Sequence, residues 1–198
     1  MKTVNEIQCF VLDMDGTIYL GKDLFDFTKS FLRQVKEKGK EYCFFTNNSS
    51  RSRQEYMEKL AKLGIFIEPS QMMTSSHVVI QHLKKYYPDQ SIYVVGTPSL
   101  IQEFESFGMH LTEDQPDIVI LGFDTTLTYE KLSKACQYIR QGCTYFGINP
   151  DWNCPMEGGS FIPDCGSMAK LIEASTGRFP EFFGKPSKYT LDYIVEET

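Results

Sequence analysis

The run Cys9-Phe10-Val11-Leu12-Asp13-Met14-Asp15-Gly16-Thr17 decides how this chain is read. Its first four residues are apolar without polar alternation and too few for a helix, which suits a strand buried on both faces. If the extended geometry persists just past Leu12, side-chain alternation puts Asp13 and Asp15 on one side and Met14 on the other. Gly16 lets the backbone turn sharply against a ligand, and Thr17 adds a short hydroxyl. Two neighbouring carboxylates split their proton affinities, so that one suits a nucleophile and the other an acid and base. A D-x-D-G string by itself fits a solvent-exposed acidic turn as well. It is not an EF-hand loop, because Thr17 falls on the third ligand position and Ile18 where glycine is needed. Nor is there a Walker loop, since Gly177 and Gly184-Lys185 lie too far apart and Pro186 replaces the hydroxyl residue.

Outward from this run the chain alternates strand and helix. A helix fits Thr28 to Lys38, with Phe31, Leu32 and Val35 on one face and Gly39 as its stop. A strand from Tyr42 to Phe45 leads into Thr46-Asn47-Asn48. Ser52-Arg53-Gln54-Glu55 then has capping-box spacing, and Tyr56, Leu60 and Leu63 continue at helical period to Gly64. Such alternation predicts a parallel sheet whose ligands gather beyond the carboxyl ends of its strands, where both polar clusters lie. From His77 a second α/β unit begins: helix to Tyr87, strand Ile92 to Val95, helix Leu100 to Phe107, strand Ile118 to Leu121, helix Tyr129 to Arg140, strand Thr144 to Phe146. The stretch from Asn149 to Gly166, rich in Gly, Pro and Asp, is long for a passive connection and reads either as a binding loop or as a solvated excursion. A helix from Ser167 to Ser175 stops at Gly177. A final helix starts near Ser187 and reads as ending inside a domain.

Bulk properties narrow the function classes. With 198 residues, 41% of them hydrophobic, the chain can bury a real core. A net charge of -6 without any dense run of Lys and Arg points away from nucleic acid and anionic membranes and toward small partners. The stretch Met1 to Glu6 lacks the apolar region of a signal peptide, and no apolar run is long enough to span a bilayer, so a cytoplasmic location is the expectation. The six cysteines form no C-x-x-C pair and read as reduced core thiols. His77, His82 and His110 lack metal-site spacing and read as packing or surface residues.

Specificity comes from the order of the elements: an apolar strand into Asp-x-Asp-Gly-Thr, an apolar strand into Thr46-Asn47, then Gly184-Lys185-Pro186. The strings CFVLDMDGTIYL, CFFTNNSS, LGFDTTLTYE and FGKPSKYTLD together resemble the haloacid dehalogenase superfamily, within it the NagD-like and 4-nitrophenyl-phosphatase-like enzymes, along essentially the whole chain. The resemblance implies a Rossmann-like parallel-sheet α/β core with an inserted α/β cap of the C2 type. Residues 1–76 and 181–198 would be core and 77–180 cap. It further implies that Asp13 is the nucleophile, forming an aspartyl-phosphate, and that Asp15 is the acid and base. Thr46 and Asn47 would hold phosphoryl oxygens, and Lys185 would neutralise charge on the phosphoryl group and Asp13. Magnesium would be held by the Asp13 carboxylate and the Asp15 carbonyl. The family's fourth, acidic motif, G-D-x-x-x-T-D, does not occur in the sequence, and related chains carry it beyond the position of Thr198. The implied substrate is a small phosphorylated metabolite, and the implied assembly a homo-oligomer through the cap. Asn149, Asp151 and Asp164-Cys165-Gly166-Ser167 are the expected selectivity positions; Gly122-Phe123-Asp124 is a family-like strand end to which no physical argument gives a role. Two further readings use the same residues: phosphate binding without turnover by a chain that lacks the fourth motif, and transfer to an acceptor other than water.

Overall fold

The computed structural model describes residues 6–198, so most of the stretch Met1 to Glu6 lies outside the described residues. Two parallel sheets dominate. The first is built from β1 (Cys9–Leu12), which enters a small hairpin of β2 (Tyr19–Leu20) and β3 (Asp23–Leu24), then α1 (Thr28–Glu37), β4 (Glu41–Thr46), α2 (Arg53–Lys62) and β5 (Met72–Thr74). Its strand order is β1-β4-β5, with Val11 opposite Cys43 and Phe44 opposite Met72. The second sheet follows from α3 (Ser75–Tyr86), β6 (Ile92–Val95), α4 (Pro98–Ser106), β7 (Ile118–Leu121), α5 (Tyr129–Arg140) and β8 (Thr144–Gly147). A hairpin of β9 (Asn153–Pro155) and β10 (Phe161–Pro163), then α6 (Cys165–Thr176), precede the edge strand β11 (Glu181–Phe182) and the last helix α7 (Lys188–Glu197). The order β11-β8-β7-β6 is parallel throughout. The chain is thus of the parallel α/β class that the strand-helix alternation predicts.

Strand alternation divides the core. Tyr42 and Phe44 enter one apolar cluster with Leu32 and Val35 of α1 and Tyr56 and Leu60 of α2. Cys43 and Phe45 enter another, shared with Val79 and Leu83 of α3, Phe104 of α4, Tyr193 of α7, and Ile118 and Phe146 of the second sheet. Side chains of α3, α4 and α7 therefore fill the space between the sheets. The outer face of the second sheet is covered by α5 and α6 through Ala135, Ile139, Ala169 and Ile172. No helix among the described residues is long and apolar enough to cross a membrane.

Several elements depart from the sequence expectations, each for a local reason. Strand β5 has three residues, too few to show a period, and Thr74 at its end caps α3, which therefore opens at Ser75 rather than His77. The stretch from Asn149 to Gly166 holds an antiparallel hairpin that the Gly and Pro content hides, and α6 opens at Cys165 because Asp164 is its N-cap. All six cysteines are free thiols, as expected. His77 is buried beside Glu103 and against the Phe107 ring, and His82 sits among Phe183, Tyr189 and Tyr86, so both are packing residues.

Candidate active site

The loop after β1 is shaped by its glycine. Gly16 has φ +79°, and its N–H donates to the Tyr19 carbonyl at 2.8 Å, while the Met14 carbonyl accepts from Thr17 at 3.1 Å and Ile18 at 2.8 Å. The tight turn buries Met14 completely and leaves Asp13 and Asp15 facing one cavity, as side-chain alternation predicts. That cavity has a volume of about 390 Å³. Thr46 and Asn47 reach it from the carboxyl end of β4, and Lys185 from the segment after β11.

Asp13, Lys185 and Asn47 interlock. Lys185 Nζ lies 2.6 Å from Asp13 Oδ1, and the Thr17 hydroxyl donates to Asp13 Oδ2 at 3.3 Å. The Lys185 N–H donates to Asn47 Oδ1 at 2.8 Å, and Asn47 Nδ2 donates back to the Lys185 carbonyl at 3.1 Å. This reciprocal pair needs Gly184, where a Cβ would lie 2.8 Å from Asn47 Oδ1 and 2.9 Å from the Ile148 carbonyl. Buried Thr46 accepts the Asn48 N–H at 3.1 Å on its hydroxyl oxygen, which retains a hydrogen to donate.

Asp15 has partners of its own. The Tyr19 hydroxyl donates to Oδ2 at 3.3 Å, and Lys59 Nζ of α2 lies 3.5 Å from Oδ1. The same ammonium sits 3.7 Å from the centroid of the Tyr19 ring. Burial pulls Lys59 below the usual lysine range against the opposing pull of Asp15, while burial, then Asp15, push the Tyr19 phenol far above its usual value and keep it a donor. The sequence reading passed over Lys59. Its one signal is a position next to Leu60 and three after Tyr56, both buried on α2.

The opposite wall belongs to the second unit. Asp151 Oδ2 accepts from Asn47 Nδ2 at 2.9 Å and from Asn149 Nδ2 at 3.1 Å, and Asn149 Nδ2 also donates to Asp164 Oδ1 at 2.9 Å. Burial pushes the Asp164 carboxyl up to about 6, with the Asn149 hydrogen bond opposing. Of the expected selectivity positions, Asp151 and Asp164 line the cavity and fully buried Asn149 orients both. Cys165, Gly166 and Ser167 face elsewhere: the Cys165 thiol donates to the Leu121 carbonyl, Gly166 is pressed against the Pro150 carbonyl, and the Ser167 hydroxyl donates to the Trp152 carbonyl. Asn48, Asn153, Cys154 and Pro155 join the lining without having been singled out in the sequence, three of them on a strand too short to be seen there. Burial, then the charge of Asp164, raises the Cys154 thiol to about 11, so it is protonated near neutrality and unsuited to attack.

The loop after β4 also ties the sheets together. Fully buried Ser49 accepts the Phe123 N–H at 2.8 Å and donates to Asn149 Oδ1 at 3.2 Å, and the Thr97 hydroxyl donates to the Ser50 carbonyl at 2.9 Å. The segment Gly122 to Asp124 thereby acquires a role as the seat of this loop. Buried Asp124, paired with Lys131 at 2.8 Å, braces it.

Comparison with known proteins identifies the family and the fold. The family described as haloacid dehalogenase-like hydrolase matches residues 10–110, a span that takes in Asp13, Asp15, Thr46 and Asn47. The 5'-nucleotidase YutF of Bacillus subtilis (strain 168) is 34% identical over 94% of this chain and 72% of its own length. Among solved structures, 4-nitrophenylphosphatase from Thermotoga maritima superposes with a TM-score of 0.93 at 44% identity, over 98% of this chain and 74% of that one. A structure described as a nagD protein gives 0.94 at 43%, over 98% and 77%.

Proposed function

This chain belongs to the haloacid dehalogenase-like hydrolases, and from that premise we propose that it hydrolyses small-molecule phosphomonoesters through an aspartyl-phosphate on Asp13. The observation that carries the reading is the 2.6 Å contact of Lys185 with Asp13, at the point where Asp15, Thr46 and Asn47 converge. An Asp13 oxygen attacks phosphorus while the bond from phosphorus to the leaving oxygen breaks, and the proton of the Asp15 carboxyl passes to that oxygen. In the second half Asp15, now a carboxylate, takes a proton from water as the water oxygen attacks phosphorus. The bond from Asp13 to phosphorus breaks, and inorganic phosphate leaves. Lys185, the Thr46 hydroxyl and the Asn47 backbone N–H offset charge on the phosphoryl oxygens, which is most of what phosphoryl transfer asks of a protein.

Among the described residues no three His, Cys, Asp or Glu side chains form a closed metal cage. Magnesium needs none, because it keeps several waters and takes one or two carboxylates beside phosphate oxygens. The donors that the family resemblance implies, the Asp13 carboxylate and the Asp15 carbonyl, are all oxygen and fit that preference, and the bound ion would neutralise phosphoryl charge. We read residues 77–180 as a cap over a core of 1–76 and 181–198. Supporting this are the acidic and amide groups that the second unit sets opposite Asp13, a wall suited to a leaving group that donates hydrogen bonds.

Asp13→Asn is expected to abolish phosphate release from 4-nitrophenyl phosphate with magnesium, a loss of roughly a thousandfold or more, since nucleophile and phosphoenzyme both disappear. Chelation with EDTA is expected to give an equal loss that added magnesium reverses. Turnover persisting in Asp13→Asn would falsify the assignment.

A further inference from the structure

We propose that Lys59 is a positioning residue for Asp15, fixing the plane of the carboxylate that gives and takes the proton; the inference rests on the phosphatase reading of this site. A lysine in the middle of a helix ordinarily extends its ammonium into water or pairs along its own helix. Lys59 does neither. The carboxylate one turn before it, Glu55, is committed elsewhere: Oε2 accepts the Ser52 N–H at 2.8 Å in the capping box, and Oε1 accepts the Ser99 hydroxyl at 3.2 Å. The Lys59 side chain, 20% exposed, turns inward between the face of the fully buried Tyr19 ring and Asp15 Oδ1. Partial desolvation of an ammonium is costly, and here it is met by a ring face and one carboxylate.

The arrangement holds Asp15 from both ends. Oδ1 faces Lys59 and Oδ2 receives the Tyr19 hydroxyl, while Gly16 ties the backbone next to Asp15 to Tyr19. A carboxylate has about four acceptor sites, so each oxygen keeps a site free to carry the proton that passes to the leaving oxygen or comes from the attacking water. Asp15 is thus oriented before substrate arrives, and orientation is what makes proton transfer within a site efficient. Lys59 itself touches no reacting atom. Its effect appears where the proton matters most: an alkoxide leaving group must be protonated as it departs, whereas 4-nitrophenolate leaves largely unaided.

The test compares wild type, Lys59→Met and Lys59→Arg on an alkyl phosphate and on 4-nitrophenyl phosphate, with crystal structures of the first two. Lys59→Met is expected to lower kcat on the alkyl phosphate at least about tenfold more than on the aryl phosphate, with KM nearly unchanged, and Lys59→Arg to restore most of it. In Lys59→Met crystals the Asp15 carboxylate is expected to leave its present place. Equal losses on both substrates, a change confined to KM, or an unmoved Asp15 would each overturn the proposal. Asp13→Asn run alongside separates the two readings: activity in that variant, or none in wild type, counts against the phosphatase assignment. The Asp15 position in Lys59→Met then decides the role of Lys59 by itself.

Discussion

At the scale of single residues, burial decides what a carboxylate can do. Asp13, half exposed, is held beside Lys185, whereas Asp164 is buried and its carboxyl is raised from 3.8 to about 6. A native value above the unfolded one means that the folded state holds the proton more tightly. The resulting stabilisation is complete below about pH 4 and is lost as pH rises through about 6. Asp164→Asn keeps an acceptor for the Cys165 N–H and removes that loss. It is expected to melt above wild type at about pH 8, by on the order of 2 kcal/mol, with the gap closing toward about pH 4; scanning calorimetry across that range checks both ends. That Asp13, Asp15, Thr46, Asn47 and Lys185 meet at one cavity was legible from the order of their three motifs together, since alone Thr46-Asn47 reads as a strand-end turn and Lys185 as a solvated lysine. Lys59 was not, because its partners lie on another element far upstream and nothing local marks a lysine that turns inward.

At the scale of elements, local chemistry sets where helices begin. α2 starts at a complete capping box, in which the Ser52 hydroxyl accepts the Glu55 N–H and Glu55 Oε2 accepts the Ser52 N–H. Ser52→Ala removes that cap and is expected to cost about 1 kcal/mol, read as a lower urea midpoint with an unchanged slope. The pattern S-x-x-E made this start readable, and apolar runs made β4, β6 and β7 readable, strands buried on both faces or nearly so. The same signal located β1 but overstated its burial, because Cys9–Leu12 is only partly buried and Val11 is 40% exposed. The two- and three-residue strands β2, β3, β5, β9, β10 and β11 were not readable. Ladder partners, rather than residue type, hold such strands, and partners are set only by the assembled fold.

At the scale of the molecule, the two sheets share one apolar cluster and are bridged by the buried hydroxyls of Ser49 and Thr97. Ser49 is fully buried, and its loss strands the Phe123 N–H and Asn149 Oδ1 together. Ser49→Ala is expected to cost about 1–3 kcal/mol, the penalty of unsatisfied buried groups. Calorimetry should still show a single transition, because Phe45, Val79, Phe104 and Ile118 join the sheets in one cluster. Two separate transitions would show the units to be independent. The sequence displayed two α/β units in order, but not how they face each other. The ends of β4, β6, β7 and β8 converge on the loop from Thr46 to Ser50, which no periodicity encodes.

That convergence bears on how such a protein can change over generations. Because the carboxyl ends of both sheets open on one cavity, the groups we propose for the chemistry arise mainly from the first unit, and Asp151, Asn153 and Asp164, which line the opposite wall, arise from the second. On the proposed mechanism, substitutions in the hairpin of β9 and β10 and in the turns beside it therefore alter what is cleaved while leaving intact how it is cleaved. The architecture separates the inheritance of a reaction from the inheritance of its substrate.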